Sequence, residues 1–130
     1  MIIIDTSIWI PALRNRTSPE KAEVERLIFE DAAAVVGIVL VEVLRGARDR
    51  SHFDELYDQM RGAFLIEDDE GSWLRAAELL LDLKLRGEVI PLPDAIIAAQ
   101  ALLGSHAVYT ADPHFGRIAG LRLHATSQQG

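Results

Sequence analysis

Short, uninterrupted apolar runs alternate with longer amphipathic segments along the whole chain. Such runs cover residues 2–4, 33–36, 64–66 and 107–109, and a fifth candidate at 121–123 contains Arg122. Runs of this length that lie between turn signals are typical of short buried strands. We therefore predict up to five strands, with the last of them the weakest.

The segments between these runs have helical periodicity. Ser18-Pro19 is a good helix start, because serine caps the helix and proline suits its first position. Gly46 and Gly87 follow two other segments and indicate helix ends. Helices are predicted over residues 7–13, 20–30, 38–45, 51–60, 68–86 and 94–103, with a single turn at 115–118. Strands that alternate with helices predict an α/β fold, in which a parallel sheet of about five short strands is sandwiched by helices.

Length and composition favour one soluble domain over residues 1–130. The chain is 49% hydrophobic and 25% charged, which is ordinary for a folded protein. Residues 126–130 are polar and lack periodicity, so we expect a disordered tail there. There is no cysteine, which excludes disulfides and thiolate chemistry. No signal peptide and no membrane-spanning stretch is recognisable, so we expect a cytoplasmic protein with no membrane association.

Four acidic residues occupy positions at which this fold would bring them together. Asp5 ends the first apolar run, and Asp112 closely follows the run at 107–109. Asp94 opens a predicted helix, and Glu42 interrupts an apolar helix. Sites in parallel α/β sheets form beyond the carboxyl ends of the strands. Clustered carboxylates repel one another unless a cation binds, so the four acids suggest a divalent-metal site for phosphate chemistry.

Each acid taken alone has a simpler interpretation. Asp94 could be an acid at the start of a helix, where the helix dipole stabilises its negative charge. Asp112, which precedes Pro113, could belong to a turn. Glu42 could lie on a solvated face or pair with Arg45. Asp5 is harder to explain in this way. The metal-site hypothesis depends on the coincidence of all four.

The remaining composition gives weaker indications. The net charge of −7 is unusual for a protein that binds nucleic acid, although bound cations would reduce it, and it suits a basic protein partner. The four histidines lack a zinc-binding spacing, and we expect His114 to be a surface residue. Trp9 and Trp73 are expected to be packing anchors, although Trp9 could also face a partner.

Four segments in this order resemble the PIN-domain ribonucleases, and most of all the VapC-type toxins of bacterial toxin–antitoxin pairs. They are Ile3-Ile4-Asp5-Thr6-Ser7, residues 41–46 around Glu42, residues 93–99 around Asp94, and Tyr109-Thr110-Ala111-Asp112 with Phe115. Each segment alone is weak evidence for the resemblance, but the four segments in this order are specific to the family. The similarity covers nearly the whole chain.

This resemblance implies a PIN-like fold in which Asp5, Glu42, Asp94 and Asp112 surround Mg²⁺ or Mn²⁺ and catalyse RNA hydrolysis. Thr6, Ser7 and Thr110 match the supporting polar positions. It also implies two protein partners: a small VapB-like antitoxin that blocks the site, and a second copy of the chain in a homodimer.

We further expect the antitoxin to insert an arginine or lysine near Asp5 and Asp94. Its apolar residues would pack on the early helices of the toxin. The candidate contact residues are Trp9, Leu13, Leu27 and Ile28, although all four could instead belong to the core.

Three alternatives remain at this point. The chain could be a PIN nuclease that acts in RNA processing without an antitoxin. It could be a receiver-like signalling domain, but Asp5 stands alone and no lysine follows Thr110. A structural scaffold would tolerate the loss of all four acids.

Overall fold

A computed structural model describes residues 1–125, and the expected tail at 126–130 lies outside them. Five strands form one sheet in the order β3-β2-β1-β4-β5. All four neighbouring pairs are parallel, so the carboxyl ends of the strands lie along one edge. The central strand β1 pairs through Ile2–Ala33 and Ile2–Ala107, which places residues after β1 and β4 side by side.

The helices and strands follow one another much as the hydrophobic pattern predicts. The strands are β1 (Ile2–Ile4), β2 (Ala33–Val36), β3 (Phe64–Ile66), β4 (Ala107–Tyr109) and β5 (Arg122–Leu123). The helices are α1 (Thr6–Arg14), α2 (Pro19–Phe29), α3 (Gly37–Leu44), α4 (Arg50–Met60), α5 (Glu70–Leu85), α6 (Leu92–Gly104) and the 3₁₀ helix Pro113–Arg117.

The central strands are covered on both faces. All residues of β2 and β4 are buried, as are Ile3 and Ile4 of β1. Successive side chains of a strand point to opposite faces, so burial of adjacent positions requires helices on both sides of the sheet. The edge strand β3 differs, since Phe64 and Leu65 are exposed. The predicted helix–sheet–helix sandwich is confirmed.

Local capping chemistry explains where several helices begin. The Ser18 hydroxyl accepts a hydrogen bond from the Lys21 backbone N–H at 3.1 Å, and Pro19 is the first residue of α2. Asp69 caps α5, because its Oδ1 accepts from the Ser72 N–H while the Ser72 hydroxyl accepts from the Asp69 N–H. Helix α5 therefore begins at Glu70 instead of the predicted residue 68.

Helix α6 begins earlier than the sequence pattern indicates. Pro91 is its N-cap, and Pro93 lies in its first turn, where no backbone N–H is needed inside the helix. Asp94 consequently belongs to the first turn and is not the opening residue. This shift still leaves its carboxylate at the amino end of the helix.

The two tryptophans differ in their surroundings. Trp9 is a core residue with 1% exposure, which confirms it as a packing anchor. Trp73 is 51% exposed, so the same expectation was wrong for it. The side chain of Trp73 lies on the outer part of α5, whose buried residues are Ser72, Ala76, Leu79 and Leu83.

Candidate metal and active site

The parallel order of β1 and β4 brings two of the four acids to the same edge of the sheet. Asp5 directly follows β1, and its backbone N–H donates to the Tyr109 carbonyl at the end of β4 at 3.0 Å. Asp112 lies three residues beyond Tyr109 and caps the 3₁₀ helix. Two residues that are 107 positions apart in the numbering thus share one edge because their strands are neighbours.

Asp5 is held by two hydroxyl groups. Its Oδ2 accepts hydrogen bonds from Ser7 Oγ at 2.8 Å and from Thr110 Oγ1 at 2.9 Å. The two hydroxyl oxygens are themselves 3.2 Å apart. Asp5 is also the N-cap of α1 and is almost fully buried. These bonds fix the orientation of the carboxylate and leave Oδ1 without a side-chain donor in this set.

The same hydroxyls shape the loop that carries Asp112. Thr110 Oγ1 accepts from the Asp112 backbone N–H at 2.9 Å, and Ser7 Oγ accepts from the Ala111 N–H at 3.0 Å. Ser7 and Thr110 therefore connect the loop after β1 with the loop after β4. Both were predicted as supporting residues, and both contact the acid cluster.

Asp94 experiences the electrostatic cost of the cluster most strongly. Burial, together with the negative charges of Asp112 and Asp5, raises the pKa of Asp94 from 3.8 to about 6. A hydrogen bond with His114 opposes this rise. The charges of Asp112 and Asp5 thus add to the effect of burial on Asp94, and a cation bound beside it would favour its ionised form.

Glu42 approaches the site through a different contact. Its Oε1 accepts a hydrogen bond from Thr6 Oγ1 at 2.9 Å, and Thr6 directly follows Asp5. Helix α3 presents Glu42 as a half-buried residue beside the first turn of α1. Thr6 thus links the fourth acid to the segment that bears the first, which matches its predicted supporting position.

His114, the histidine nearest to the expected site in the sequence, was given no role there, yet it contacts two of the acids. Its Nδ1 lies 3.1 Å from Asp94 Oδ2 and 2.8 Å from Asp112 Oδ1. Its backbone N–H also donates to Asp112 Oδ1 at 2.9 Å. The expectation of a surface histidine was therefore wrong, because the 3₁₀ helix turns the imidazole toward the acids. The available signal was the sequence Asp112-Pro113-His114, which places the histidine two residues after one of the predicted acids, shortly beyond a strand.

A compact set of ligand atoms results from these contacts. Within residues 1–125, Asp94, Asp112 and His114 each offer one such atom, and these atoms all lie within 4.8 Å of one another. Asp5 is close enough to Asp94 to raise its pKa, although neither it nor Glu42 belongs to this tight group. Carboxylate oxygens and one imidazole nitrogen suit a divalent cation, so the residues present fit such an ion.

The predicted partner-contact residues divide into two pairs. Trp9 and Leu27 are 1% and 2% exposed and belong to the core, so for them the prediction of a contact surface is corrected. Both side chains are used to pack α1 and α2 into the protein. Leu13 and Ile28 are half-buried and line a shallow cavity of about 130 Å³ between these helices. They stay predictions as contacts for a partner.

Across residues 1–125, every helix is too short or too polar to cross a membrane.

Comparison with known proteins decides the family. The family model described as PIN domain matches residues 2–121. This chain belongs to the PIN-domain family. It is 33% identical over 132 residues to Ribonuclease VapC11 of Mycobacterium tuberculosis, with 98% of both chains covered. It is also 33% identical to VapC ribonuclease Mb1587 of Mycobacterium bovis with the same coverage, so this PIN domain is a member of the VapC group.

Solved structures agree with the fold of this PIN domain. A chain in the structure of VapBC2 from Rickettsia felis, bound to a promoter DNA fragment, superimposes with a TM-score of 0.82. That match has 23% identity and covers 95% of this chain and 98% of the other. The PIN-like fold expected from the sequence is confirmed.

Proposed function

We propose that this PIN domain is a metal-dependent endoribonuclease and the toxin of a toxin–antitoxin pair, acting in the cytoplasm. The main support is the convergence of Asp5, Asp94 and Asp112 at one edge, where burial and the charges of the other two acids raise the pKa of Asp94. The ribonuclease names of its relatives point to RNA as the substrate. The acidic set would hold Mg²⁺ or Mn²⁺.

The ligands would come from the four acids. Asp94 and Asp5, the two most buried, would be the principal ones, and Asp112 and Glu42 would complete the site or orient the attacking water. When bound, the divalent ion lowers the pKa of a water molecule and neutralises charge on the scissile phosphate. Hydrolysis requires that this water attack phosphorus opposite the leaving oxygen.

Three hydroxyl side chains hold the acids in position for this role. Ser7 and Thr110 fix one oxygen of Asp5, and Thr6 holds one oxygen of Glu42. Preorganised ligands avoid the cost of reorienting carboxylates when the phosphate arrives. We assign these residues to positioning and not to chemistry on the substrate.

A small VapB-like antitoxin is the proposed protein partner. Structures similar in fold include a toxin–antitoxin complex from Klebsiella pneumoniae, which supports this assignment. A lysine or arginine of the antitoxin inserted near Asp5 and Asp94 would supply the positive charge that the acids lack. Leu13 and Ile28, beside the cavity between α1 and α2, are the proposed apolar contacts. A homodimer is also proposed, with no geometry assigned.

The decisive experiment measures RNA cleavage by the purified chain with and without metal. Excess chelator is expected to abolish cleavage, and Mg²⁺ or Mn²⁺ to restore it. Asp5→Asn is expected to lose activity while remaining folded. The matched control is Asp82→Asn, which changes an exposed acid on α5 in the same way. Full cleavage in chelator, or a normal rate for Asp5→Asn, would refute the metal-dependent mechanism.

A separate experiment tests the toxin role. Expression of this chain alone should arrest growth, and co-expression of the small neighbouring gene should relieve the arrest. Growth that is unaffected by the active chain would favour an RNA-processing nuclease without an antitoxin.

A further inference from the structure

His114 is the titratable side chain of the site to which the four-acid hypothesis gives no role. It lies on the 3₁₀ helix directly after β4, and its side chain is 34% exposed. Nδ1 faces two carboxylates at once, Asp94 on α6 and Asp112 on the loop. Phe115, the next residue, is completely buried and anchors the turn that carries the imidazole.

The two distances from His114 Nδ1 to the carboxylate oxygens are compatible with neighbouring ligands of one octahedral ion. The bonds of about 2.0–2.1 Å that Mg²⁺ forms, at right angles, place adjacent ligand atoms about 2.8–3.0 Å apart, and the longer bonds of Mn²⁺ place them slightly farther apart. Nδ1 lies 3.1 Å from Asp94 Oδ2 and 2.8 Å from Asp112 Oδ1. A hydrogen-bonded imidazole would show similar distances, so the test must detect the nitrogen–metal bond itself.

We propose that His114 Nδ1 is a direct ligand of the catalytic cation and makes the site prefer Mn²⁺ to Mg²⁺. This inference rests on the proposed metal-dependent function and adds a nitrogen donor to its oxygen ligands. Mg²⁺ favours oxygen donors and a shell of waters. Imidazole nitrogen is a ligand typical of transition-metal ions, and Mn²⁺ is the transition-metal ion of the two that the site would hold. His114 thereby determines which ion the site retains.

The backbone supports this orientation independently of the imidazole. The His114 N–H donates to Asp112 Oδ1, which caps the 3₁₀ helix and fixes the start of the turn. Replacement of the imidazole therefore leaves the main-chain contact in place. The effect of His114→Ala on metal binding can then be separated from loss of the local fold.

The test uses Mn²⁺ binding to the full chain without RNA. Electron spin echo spectroscopy of bound Mn²⁺ is expected to show coupling to a ¹⁴N nucleus. That coupling should vanish in His114→Ala and persist in His52→Ala, which removes a histidine of α4 whose Nδ1 accepts a hydrogen bond from the Arg48 N–H, away from the acidic site. The ratio of Mn²⁺ to Mg²⁺ affinity, measured by calorimetry, should fall by at least about tenfold in His114→Ala only.

Several results would overturn the proposal. One is bound Mn²⁺ that shows no nitrogen coupling in the unaltered chain. Another is an unchanged ratio of Mn²⁺ to Mg²⁺ affinity in His114→Ala. If circular dichroism shows that His114→Ala is unfolded, the same measurement is made on His114→Gln. If the ratio is unchanged but chelator still abolishes RNA cleavage, the ligand role of His114 fails and the proposed function stands. If neither ion binds and cleavage persists in chelator, both fail.

Discussion

Asp94 and Glu23 are almost equally buried acids, yet their pKa values are shifted in opposite directions. They are 7% and 8% exposed. The pKa of Asp94 rises to about 6 through burial and the charges of Asp112 and Asp5. Hydrogen bonds from Arg26 lower the pKa of Glu23 to about 2, despite the opposing effect of its burial. Burial is the largest cause of the rise at Asp94, whereas at Glu23 the hydrogen bonds from Arg26 outweigh burial, so a cationic partner decides the direction of the pKa shift.

The carboxylate of Glu23 has its charge balanced by partners within the protein. Arg26 donates to both carboxylate oxygens of Glu23, at 2.7 and 2.9 Å. His124 Nε2 lies 2.6 Å from Glu23 Oε2, and the His124 ring meets Tyr109 edge-on. These contacts connect α2 to the segment after β5. We interpret this cluster as structural.

The Asp94 cluster contains more negative than positive groups. Three carboxylates face one another, with His114 as the nearby group able to carry positive charge. An arrangement of this kind costs stability unless an external cation completes it. The contrast suggests that substitutions in the two clusters should have opposite effects on function and on stability.

The largest expected effect is the loss of RNA cleavage in Asp94→Asn. The amide has nearly the same shape but is a poor ligand, so we expect the rate to fall about 100-fold or more. The free energy of unfolding in chelator should stay the same or rise, because a repelled buried charge is removed. Cleavage assays and urea unfolding measure the two quantities.

Asp82→Asn on α5 is the matched control and should change neither quantity. If Asp94→Asn cleaves RNA at the normal rate, the Asp94 cluster is not needed for catalysis, and the proposed difference in function between the two clusters is refuted.

Metal binding should stabilise the unaltered chain. An ion that binds only the folded state at 100 times its Kd adds about 2.7 kcal/mol to the free energy of unfolding. Asp94→Asn should lose most of this gain, whereas Glu23→Gln should keep it. Thermal unfolding with increasing Mn²⁺ measures the effect. Equal stabilisation of both variants would place the ion elsewhere.

Glu23→Gln should lower stability without affecting catalysis. The substitution removes charge-assisted hydrogen bonds to Arg26 and His124, which we expect to cost about 1–3 kcal/mol, with the exposure of Arg26 reducing the effect. Chemical unfolding gives the loss, and cleavage per folded molecule should be unchanged. A stable but inactive Glu23→Gln chain would contradict a purely structural role.

The pH dependence should separate the clusters further, though by smaller amounts. The folded-state pKa of Glu23 lies below its ordinary 4.5, so its contribution is present above that pH and is lost as pH falls toward 2. The destabilisation caused by Glu23→Gln should therefore shrink across this range. Unfolding curves collected from pH 2 to 7 measure it.

Asp94 should behave in the opposite way when chelator is present. Its pKa is raised from 3.8 to about 6, so its ionisation costs folding free energy as pH rises through that window. The advantage of Asp94→Asn should appear between about pH 4 and 6. If that advantage is independent of pH, repulsion among the acids is not its source.

Much of the fold was predictable because its signals are local. The strand at Ala33–Val36 is a short apolar run, and the cap at Ser18 with Pro19 marks the start of α2. Element ends were less predictable, since Asp69 acts as a cap only when its side chain turns back to Ser72. The exposure of Trp73 was also not predictable, because the hydrophobicity of a residue does not reveal whether it lies on the face of the helix that packs against the core.

The sequence by itself determined the alternating pattern, the acids at the ends of apolar runs, and the four ordered segments of a PIN domain. These depend on neighbours in the chain, which the sequence displays directly. Only the tertiary structure decided that Trp73 is exposed and that His114 joins Asp94 and Asp112. The reason is that burial and electrostatic partnership arise between residues far apart in sequence. The packing of β1 beside β4, and of α6 beside the 3₁₀ helix, creates those contacts.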